Sequence, residues 1–93
     1  MHIVCVCGLG MGSSLIMKMT VDKALGQLGF KDYDLEHWDA GTVDSRGADL
    51  IVTSEDFRER FADRKNVVFI KNIVNGDEMK EKLGTYLREN NLL

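Results

Sequence analysis

The segment 2–14, HIVCVCGLGMGSS, decides the fold because it joins a short apolar run to a glycine-rich loop and then to a helical repeat. The run His2–Val6 is rich in β-branched residues, which is typical of a strand buried on both faces. From Ser13 to about Leu28, hydrophobic residues recur at spacings of three and four, with polar residues between them. The pattern predicts a strand, a glycine loop and an amphipathic helix that ends at Gly29.

Three further segments have the character of strands. DYDLEHW (32–38) alternates apolar and polar residues, which favours a half-exposed strand at a sheet edge. DLIVT (49–53) and VVFI (67–70) are continuous apolar runs, as expected of buried strands. The segment 39–48 between the second and third of these strands is predicted to be a loop or one short turn.

Two helices are expected in the second half of the chain. Ser54 precedes two acidic residues, as an N-cap does, and a short helix should follow to about Ala62. Asn75 and Glu78 stand at capping-box spacing before a second helical repeat, which predicts a closing helix that ends near Asn90.

Strands therefore alternate with helices along the whole chain. Because right-handed crossovers make neighbouring strands parallel, this order predicts a single three-layer α/β domain over residues 1–93. Its core would be a four-stranded parallel sheet of order 2-1-3-4 with helices on both faces. In that order the direction of winding reverses between strands one and three, and ligands bind beyond the carboxyl ends of the strands at such a point.

Composition narrows the possible functions. The chain has 93 residues, 44% hydrophobic and 29% charged, which is typical of one globular domain. Its net charge of -3 provides no broad positive field for nucleic acid or an anionic membrane. Because we find no signal-peptide pattern and no apolar run of about 20 residues, we expect a cytoplasmic protein without membrane insertion. The two cysteines, Cys5 and Cys7, have no metal-ligand spacing, so neither a metal nor another cofactor is predicted.

The loop after the first strand has the chemistry of an anion site. Glycines at alternate positions allow consecutive backbone amides to turn toward one anion, and the N-terminus of the following helix adds partial positive charge. The same environment stabilises a thiolate. We therefore predict Cys7 as a nucleophile that carries a phosphoryl group. The candidate phosphate-binding residues are Gly8, Leu9, Gly10, Met11, Gly12, Ser13 and Ser14.

Each of these residues also has a simpler interpretation. Cys7 could be a small hydrophobic residue buried at a strand end, and the glycines could serve only to shape a tight turn. Cys5, inside the first strand, is expected to be a core residue. Leu9 and Met11 could belong to the core or form an apolar docking patch around Cys7.

Other phosphate-binding loops fit the sequence less well. A Walker loop requires lysine and then serine or threonine after its last glycine, but Ser13 follows Gly12 here, and the dinucleotide fingerprint is also a poor match. The loop resembles that of low-molecular-weight tyrosine phosphatases, in which arginine stands at the position of Ser13. Those enzymes also use an aspartate beside a proline as general acid, and this chain has no proline. Without these two groups, hydrolysis should be slow.

CGLGMGSS after a buried strand resembles the phosphocysteine loop of the enzyme IIB components of the bacterial phosphoenolpyruvate-dependent sugar phosphotransferase system. The length and element order resemble the whole small IIB unit, and the continuation SSLIMKMTVDKAL is similar to its ascorbate-type branch. Lactose and cellobiose types instead have Met-Ser-Thr-Ser after the cysteine. The resemblance implies that Cys7 takes a phosphoryl group from a phosphohistidine of a IIA protein. It also implies that Cys7 gives this group to a sugar, L-ascorbate or a related one, held by a membrane IIC permease.

Two other functions stay open at this stage: a hydrolase similar to the low-molecular-weight tyrosine phosphatases, and a non-catalytic phosphate-binding regulatory module. For the carrier function, a bulky partner must reach the cysteine. We expect the surface around the loop to form that contact, with Leu9, Met11 and the loop ends near Asp39, Ser54 and Asn72 at its rim.

Overall fold

The computed structural model describes residues 1–6, 11–38, 47–72 and 74–91, with the backbone alone for residues 11–14. Its elements in this part of the chain are β1 (His2–Val6), α1 (Met11–Leu28), β2 (Asp34–Trp38), β3 (Leu50–Ser54), a 3-10 helix (Glu55–Phe57), β4 (Val67–Ile70) and α2 (Gly76–Glu89). The strand and helix segments predicted from hydrophobic periodicity correspond to these elements to within a few residues.

The four strands form one parallel sheet in the order β2-β1-β3-β4, which confirms the predicted fold class and strand order. At the carboxyl end of β1, Val6 lies opposite Trp38 of β2 on one side and Thr53 of β3 on the other. Ser54, the last residue of β3, lies opposite Ile70 of β4. The winding therefore reverses between β1 and β3, and the carboxyl ends of these two strands meet at the middle of the sheet.

Both α-helices cover the same face of the sheet. Alternate residues of the strands point to this face, where Met17 and Val21 of α1 and Leu83 of α2 pack against them. The helices also pack closely against each other, because a Cβ added at Gly84 of α2 would lie only 3.3 Å from the side chain of Leu28 of α1. The buried residues of this larger core are Ile3, Cys5, Met17, Val21, Ala24, Leu25, Leu50, Val52, Val68, Ile70, Met79, Leu83 and Leu87.

The opposite face is covered by the segment that follows β3. Phe61 is fully buried there against Val4, Val6 and Ile51. The short helix predicted to reach Ala62 is a 3-10 helix of three residues followed by a series of turns. This tighter path is still sufficient to bring Phe61 onto the sheet.

The sequence predicted the C-terminal end of α1 correctly and its N-terminal end to within two residues. Gly29 has a φ of 80°, and the amide of Phe30 donates to the carbonyl of Leu25 over 3.0 Å, so the C-terminal cap predicted at Gly29 is confirmed. The N-terminus lies at Met11, two residues before the predicted start. Residues 11–14 therefore form the first turn of the helix rather than part of the loop.

The hydroxyl of Thr53 joins the two central strands at their carboxyl ends. It is fully buried and donates to the carbonyl oxygen of Val6 over 2.8 Å. A buried polar group is stabilising only when it has a partner, and Thr53 satisfies that condition with the last described residue of β1.

We expect Thr53→Val to lower the free energy of unfolding by about 1 kcal/mol, because valine keeps the shape of threonine but removes this buried donor. Urea denaturation followed by circular dichroism measures the change. Thr85→Val is the matched control, since the hydroxyl of Thr85 donates within α2 at an exposed position. Equal effects of the two substitutions would contradict a structural role for the Thr53 bond.

Candidate functional site

The predicted nucleophile lies at a gap in the described chain. Cys7, Gly8, Leu9 and Gly10 are outside the described residues, and the flanking positions are Val6 at the end of β1 and Met11 at the start of α1. Both flanking positions belong to elements that meet at the carboxyl edge of the sheet. The described part of the candidate site therefore consists of the residues around this edge.

The first turn of α1 has backbone amides without intrahelical partners. Met11, Gly12, Ser13 and Ser14 have helical backbone, and the first four amides of any α-helix cannot bond within it. No acidic residue occurs in this turn. The helix N-terminus therefore keeps its partial positive charge, which favours an anion at this end.

The N-terminus of α2 is arranged in the opposite way. The side chain of Asn75 accepts hydrogen bonds from the amides of Asp77 and Glu78 over 3.1 and 3.2 Å, which confirms Asn75 as the N-cap. Two carboxylates also lie in its first turn. Within the described residues, the N-terminus of α1 is thus the better anion site of the two.

Ser54 differs from the capping residue that its position predicts. It stands at the N-cap of the 3-10 helix, but its side chain makes no capping bond. Its relative exposure is 9%, and its buried Oγ has no hydrogen-bond partner among the described residues. Because strand side chains alternate, Ser54 shares the face of Val52, which is the face that α1 and α2 cover.

This burial corrects one expectation for the contact surface. The loop end near Ser54 was expected at the rim of the contact surface, but the side chain of Ser54 itself is buried and offers little area to a partner. Asn72 is exposed, as a rim residue must be. Leu9 and Asp39 lie outside the described residues, and the side chain of Met11 is likewise not described.

The loop between β4 and α2 is held by a carboxylate. Glu78 accepts hydrogen bonds from the backbone amides of Lys71 and Asn72 over 2.8 and 2.9 Å, and from the Nζ of Lys82 over 2.8 Å. In the capping box that its spacing predicts, this carboxylate would bind the amide of Asn75 instead. That amide donates to the carbonyl of Asn72 over 3.0 Å, so Glu78 binds further back in the loop.

These contacts change the acidity of Glu78. Burial by itself raises the pKa of this carboxyl, but donation from Lys82 and from the amides of Lys71 and Asn72 outweighs burial and lowers the pKa from 4.5 to about 2. The side chain is only 15% exposed, so water competes weakly for these bonds. Glu78 is thus a structural anion at the carboxyl edge of the sheet.

The other cysteine belongs to the core. Cys5 is completely buried within β1 and forms no disulfide. Its burial raises the pKa of the thiol to about 12, against a smaller opposing effect of the positive charge of Lys18. The interpretation of Cys5 as a packing residue is confirmed, and its thiol is unreactive at neutral pH.

An apolar patch, consisting of Leu15, Ile16, Met19 and Val74, lies on the surface near the first turns of α1. The exposed fractions of these side chains range from 46% for Ile16 to 65% for Met19. Met19 and Val74 line one groove, of about 470 Å³, between α1 and the start of α2. The sequence signal for this patch is the presence of apolar residues of α1 outside its buried stripe, Leu15, Ile16 and Met19, whereas the predicted docking patch contained Leu9 and Met11.

In residues 1–6, 11–38, 47–72 and 74–91, no group of three or more histidine, cysteine or acidic side chains could hold a metal ion. None of the helices in these ranges is both long enough and apolar enough to cross a membrane.

The class of protein follows from comparison of the whole chain with known families. A family model described as the lactose/cellobiose-specific IIB subunit of the PTS system matches residues 2–85. The match includes all four strands, α1, the loop with Cys7 and most of α2. The chain therefore belongs to the IIB family of the sugar phosphotransferase system, and its role lies in sugar phosphotransfer.

Individual relatives define the branch of this family. The chain is 34% identical over 92 residues to proteins from Salmonella typhimurium and Escherichia coli O157:H7, covering 95% of this chain and 90% of each relative. It is 29% identical over 91 residues to a protein from Mycoplasma pneumoniae, covering 94% of this chain and 95% of the relative. All three are named ascorbate-specific PTS system EIIB component. The resemblance to an ascorbate-type IIB component is thus supported over nearly the whole chain.

We expect Glu78→Gln to lower the free energy of unfolding by about 1–2 kcal/mol at neutral pH. The reason is that the glutamine side chain lacks the negative charge to which the three donors are bonded. Since the folded pKa of Glu78 lies below its ordinary value, its contribution is complete above about pH 4.5 and is lost as the pH falls toward 2. The difference between the two proteins should therefore shrink in acid.

Denaturant titrations at neutral pH and at about pH 3 measure this dependence. Glu81→Gln is the control, because it removes a carboxylate from an exposed position of the same helix. A Glu78→Gln effect that is independent of pH would mean that the bonds to Glu78 do not depend on its charge.

Proposed function

We propose that the chain carries a phosphoryl group on Cys7, from a phosphohistidine of a IIA protein to a sugar held by a membrane IIC permease. The observation that carries the proposal is the position of residues 7–10 in the chain. They connect the carboxyl end of β1, at the switch point of the sheet, to a first helical turn that no acidic residue neutralises. Family membership supplies the reaction class, which is sugar phosphotransfer.

The proposed transfer has two steps, and in each step one bond to phosphorus forms while another breaks. In the first, the thiolate of Cys7 attacks phosphorus, an S–P bond forms, the P–N bond of the phosphohistidine breaks, and its electron pair returns to the imidazole. In the second, a sugar hydroxyl attacks phosphorus, the S–P bond breaks and the thiolate is restored. The hydroxyl proton passes to a base of the permease or to water. Because charge spreads over the phosphoryl oxygens during each transfer, donors aimed at them stabilise the transition state.

The phosphate-binding residues of the proposal are Gly8, Leu9, Gly10, Met11, Gly12, Ser13 and Ser14, through their backbone amides and the two serine hydroxyls. The helical backbone of residues 11–14 supports the second half of this set, because amides of a first turn lack other partners. Serine at position 13, where the similar phosphatase loop has arginine, favours a carrier over a hydrolase. A guanidinium would bind the phosphoryl group more tightly. It would also stabilise the transition state in which water attacks phosphorus.

The proposed substrate class is L-ascorbate or a related sugar. Three relatives that match nearly the whole chain are named ascorbate-specific. The loop CGLGMGSS and the helix that follows it are similar to this branch, whereas the name of the family model refers to lactose and cellobiose. The names and the loop together favour ascorbate over the disaccharides.

Intact-mass spectrometry after incubation with a phosphorylated IIA protein tests the proposal. We expect the protein to gain one PO3 unit and to keep it after the donor is removed, and we expect Cys7→Ser to gain none. Cys5 does not confuse this assignment, because it is buried and its thiol pKa is raised to about 12.

The two alternatives predict other results in the same experiment. A hydrolase would release inorganic phosphate continuously in a reaction that depends on Cys7. A non-catalytic binding module would stay unmodified and would tolerate Cys7→Ser. Either result would overturn the carrier function.

The apolar patch of Leu15, Ile16, Met19 and Val74 fits the docking of a IIA partner in this scheme. It adjoins the first turn of α1, and exposed apolar side chains clustered in this way are typical of interaction surfaces. A partner seated there would reach the carboxyl edge of the sheet, where we place the cysteine.

We expect Met19→Lys to slow phosphoryl transfer from IIA by about tenfold, because a charge at the centre of an apolar contact must be desolvated. Quenched-flow mixing with phosphorylated IIA measures the rate. Thr85→Lys, at an exposed position of α2 that does not line this groove, should leave the rate unchanged. If the two substitutions slow transfer equally, the patch is not the docking site.

A further inference from the structure

We infer that the hydroxyl of Ser54 is a phosphoryl-binding group, which donates a hydrogen bond to a phosphoryl oxygen when the group is attached to Cys7. This inference rests on the proposed function. It adds to the glycine loop a donor from a different strand, more than forty residues further along the chain.

The first argument is that the Ser54 hydroxyl is buried without a partner. Its exposure is 9%, no described residue bonds its Oγ, and it does not cap the helix that it precedes. An unpaired buried polar group lowers stability, so folded proteins rarely keep one that has no function. Its neighbour Thr53 is buried in the same strand and has its partner, the Val6 carbonyl at 2.8 Å.

The second argument is the register of the sheet. Val6 lies opposite Thr53, so Ser54 is the next residue of β3 just as Cys7 is the next residue after β1. The side chain of Ser54 points to the face of the sheet that α1 covers. Because α1 lies on this same face, a phosphoryl group bound by the amides of its first turn would be on the same side of the sheet as the hydroxyl.

The third argument is that the acidic side chains of the neighbouring elements, Glu55 and Glu78, are bonded to other groups. Glu55, which follows Ser54, is bonded to Arg58 over 2.6 Å. Beyond β4, the carboxylate of Glu78 is bonded to Lys82 and to two loop amides. None of these contacts gives the Ser54 hydroxyl an acceptor, and a phosphoryl oxygen would supply one.

Ser54→Ala tests the inference in the full-length protein. At equilibrium with phosphorylated IIA, we expect the ratio of phosphorylated to unphosphorylated protein to fall by about tenfold, the effect of losing one hydrogen bond to a charged oxygen. The melting temperature of the unphosphorylated protein should stay the same or rise, because the substitution removes an unsatisfied buried group. Ser54→Thr keeps the hydroxyl and should restore the ratio.

Thr53→Val is the matched control on the same strand. It removes a buried hydroxyl that already has a partner, so it should lower the melting temperature and leave the phosphorylation ratio unchanged. A structural role for Ser54 would give this same pattern in Ser54→Ala, and that result would overturn the inference.

Failure of the inference can be distinguished from failure of the proposed function. If the wild-type protein gains a PO3 unit on Cys7 and Ser54→Ala reaches the same ratio, Ser54 does not bind the phosphoryl group. If the wild-type protein gains no PO3 unit at all, the carrier function itself is wrong, and the inference about Ser54 falls with it.

Discussion

The parallel pairing of β1 with β3 is the constraint on which the rest of the molecule depends. It brings together the ends of two strands that lie 47 residues apart in the chain, and the bond from Thr53 to Val6 joins them at the edge where a ligand would bind. The groups that we propose for phosphoryl transfer all lie near the carboxyl ends of these two strands. α1 begins there, and Ser54 ends the neighbouring strand at the same level.

Much of the fold was predictable because it follows from patterns that are local in sequence. Continuous apolar runs at 2–6 and 67–70 correspond to strands over those same residues, and the glycine at 29 ends its helix as its conformational freedom suggests. The parallel direction of the strands followed from the handedness of crossovers. The order 2-1-3-4, predicted together with it, is the one observed. The segment after β3 was predicted less well, because a 3-10 helix and an α-helix begin with the same capping residues.

The site was predictable only in the part that is contiguous in sequence. Glycines, serines and a cysteine in one loop predict an anion site, but Cys7 to Gly10 lie outside the described residues, so this part stays a prediction. The roles of Ser54 and Glu78 depend on contacts between distant segments. Serine and glutamate at those positions match ordinary helix-capping signals, and only the three-dimensional packing distinguishes a buried, unbonded hydroxyl from a cap.

The contacts of Glu78 have a consequence for how this edge of the molecule moves. Because one carboxylate in the first turn of α2 accepts hydrogen bonds from the amides of Lys71 and Asn72 at the end of β4, these residues separate from the helix only if both bonds break. Strand end, connection and helix start thus form one cooperative unit. A partner that displaced Lys71 or Asn72 would therefore also remove bonds from the start of α2, so contact at this edge is coupled to the first turn of that helix.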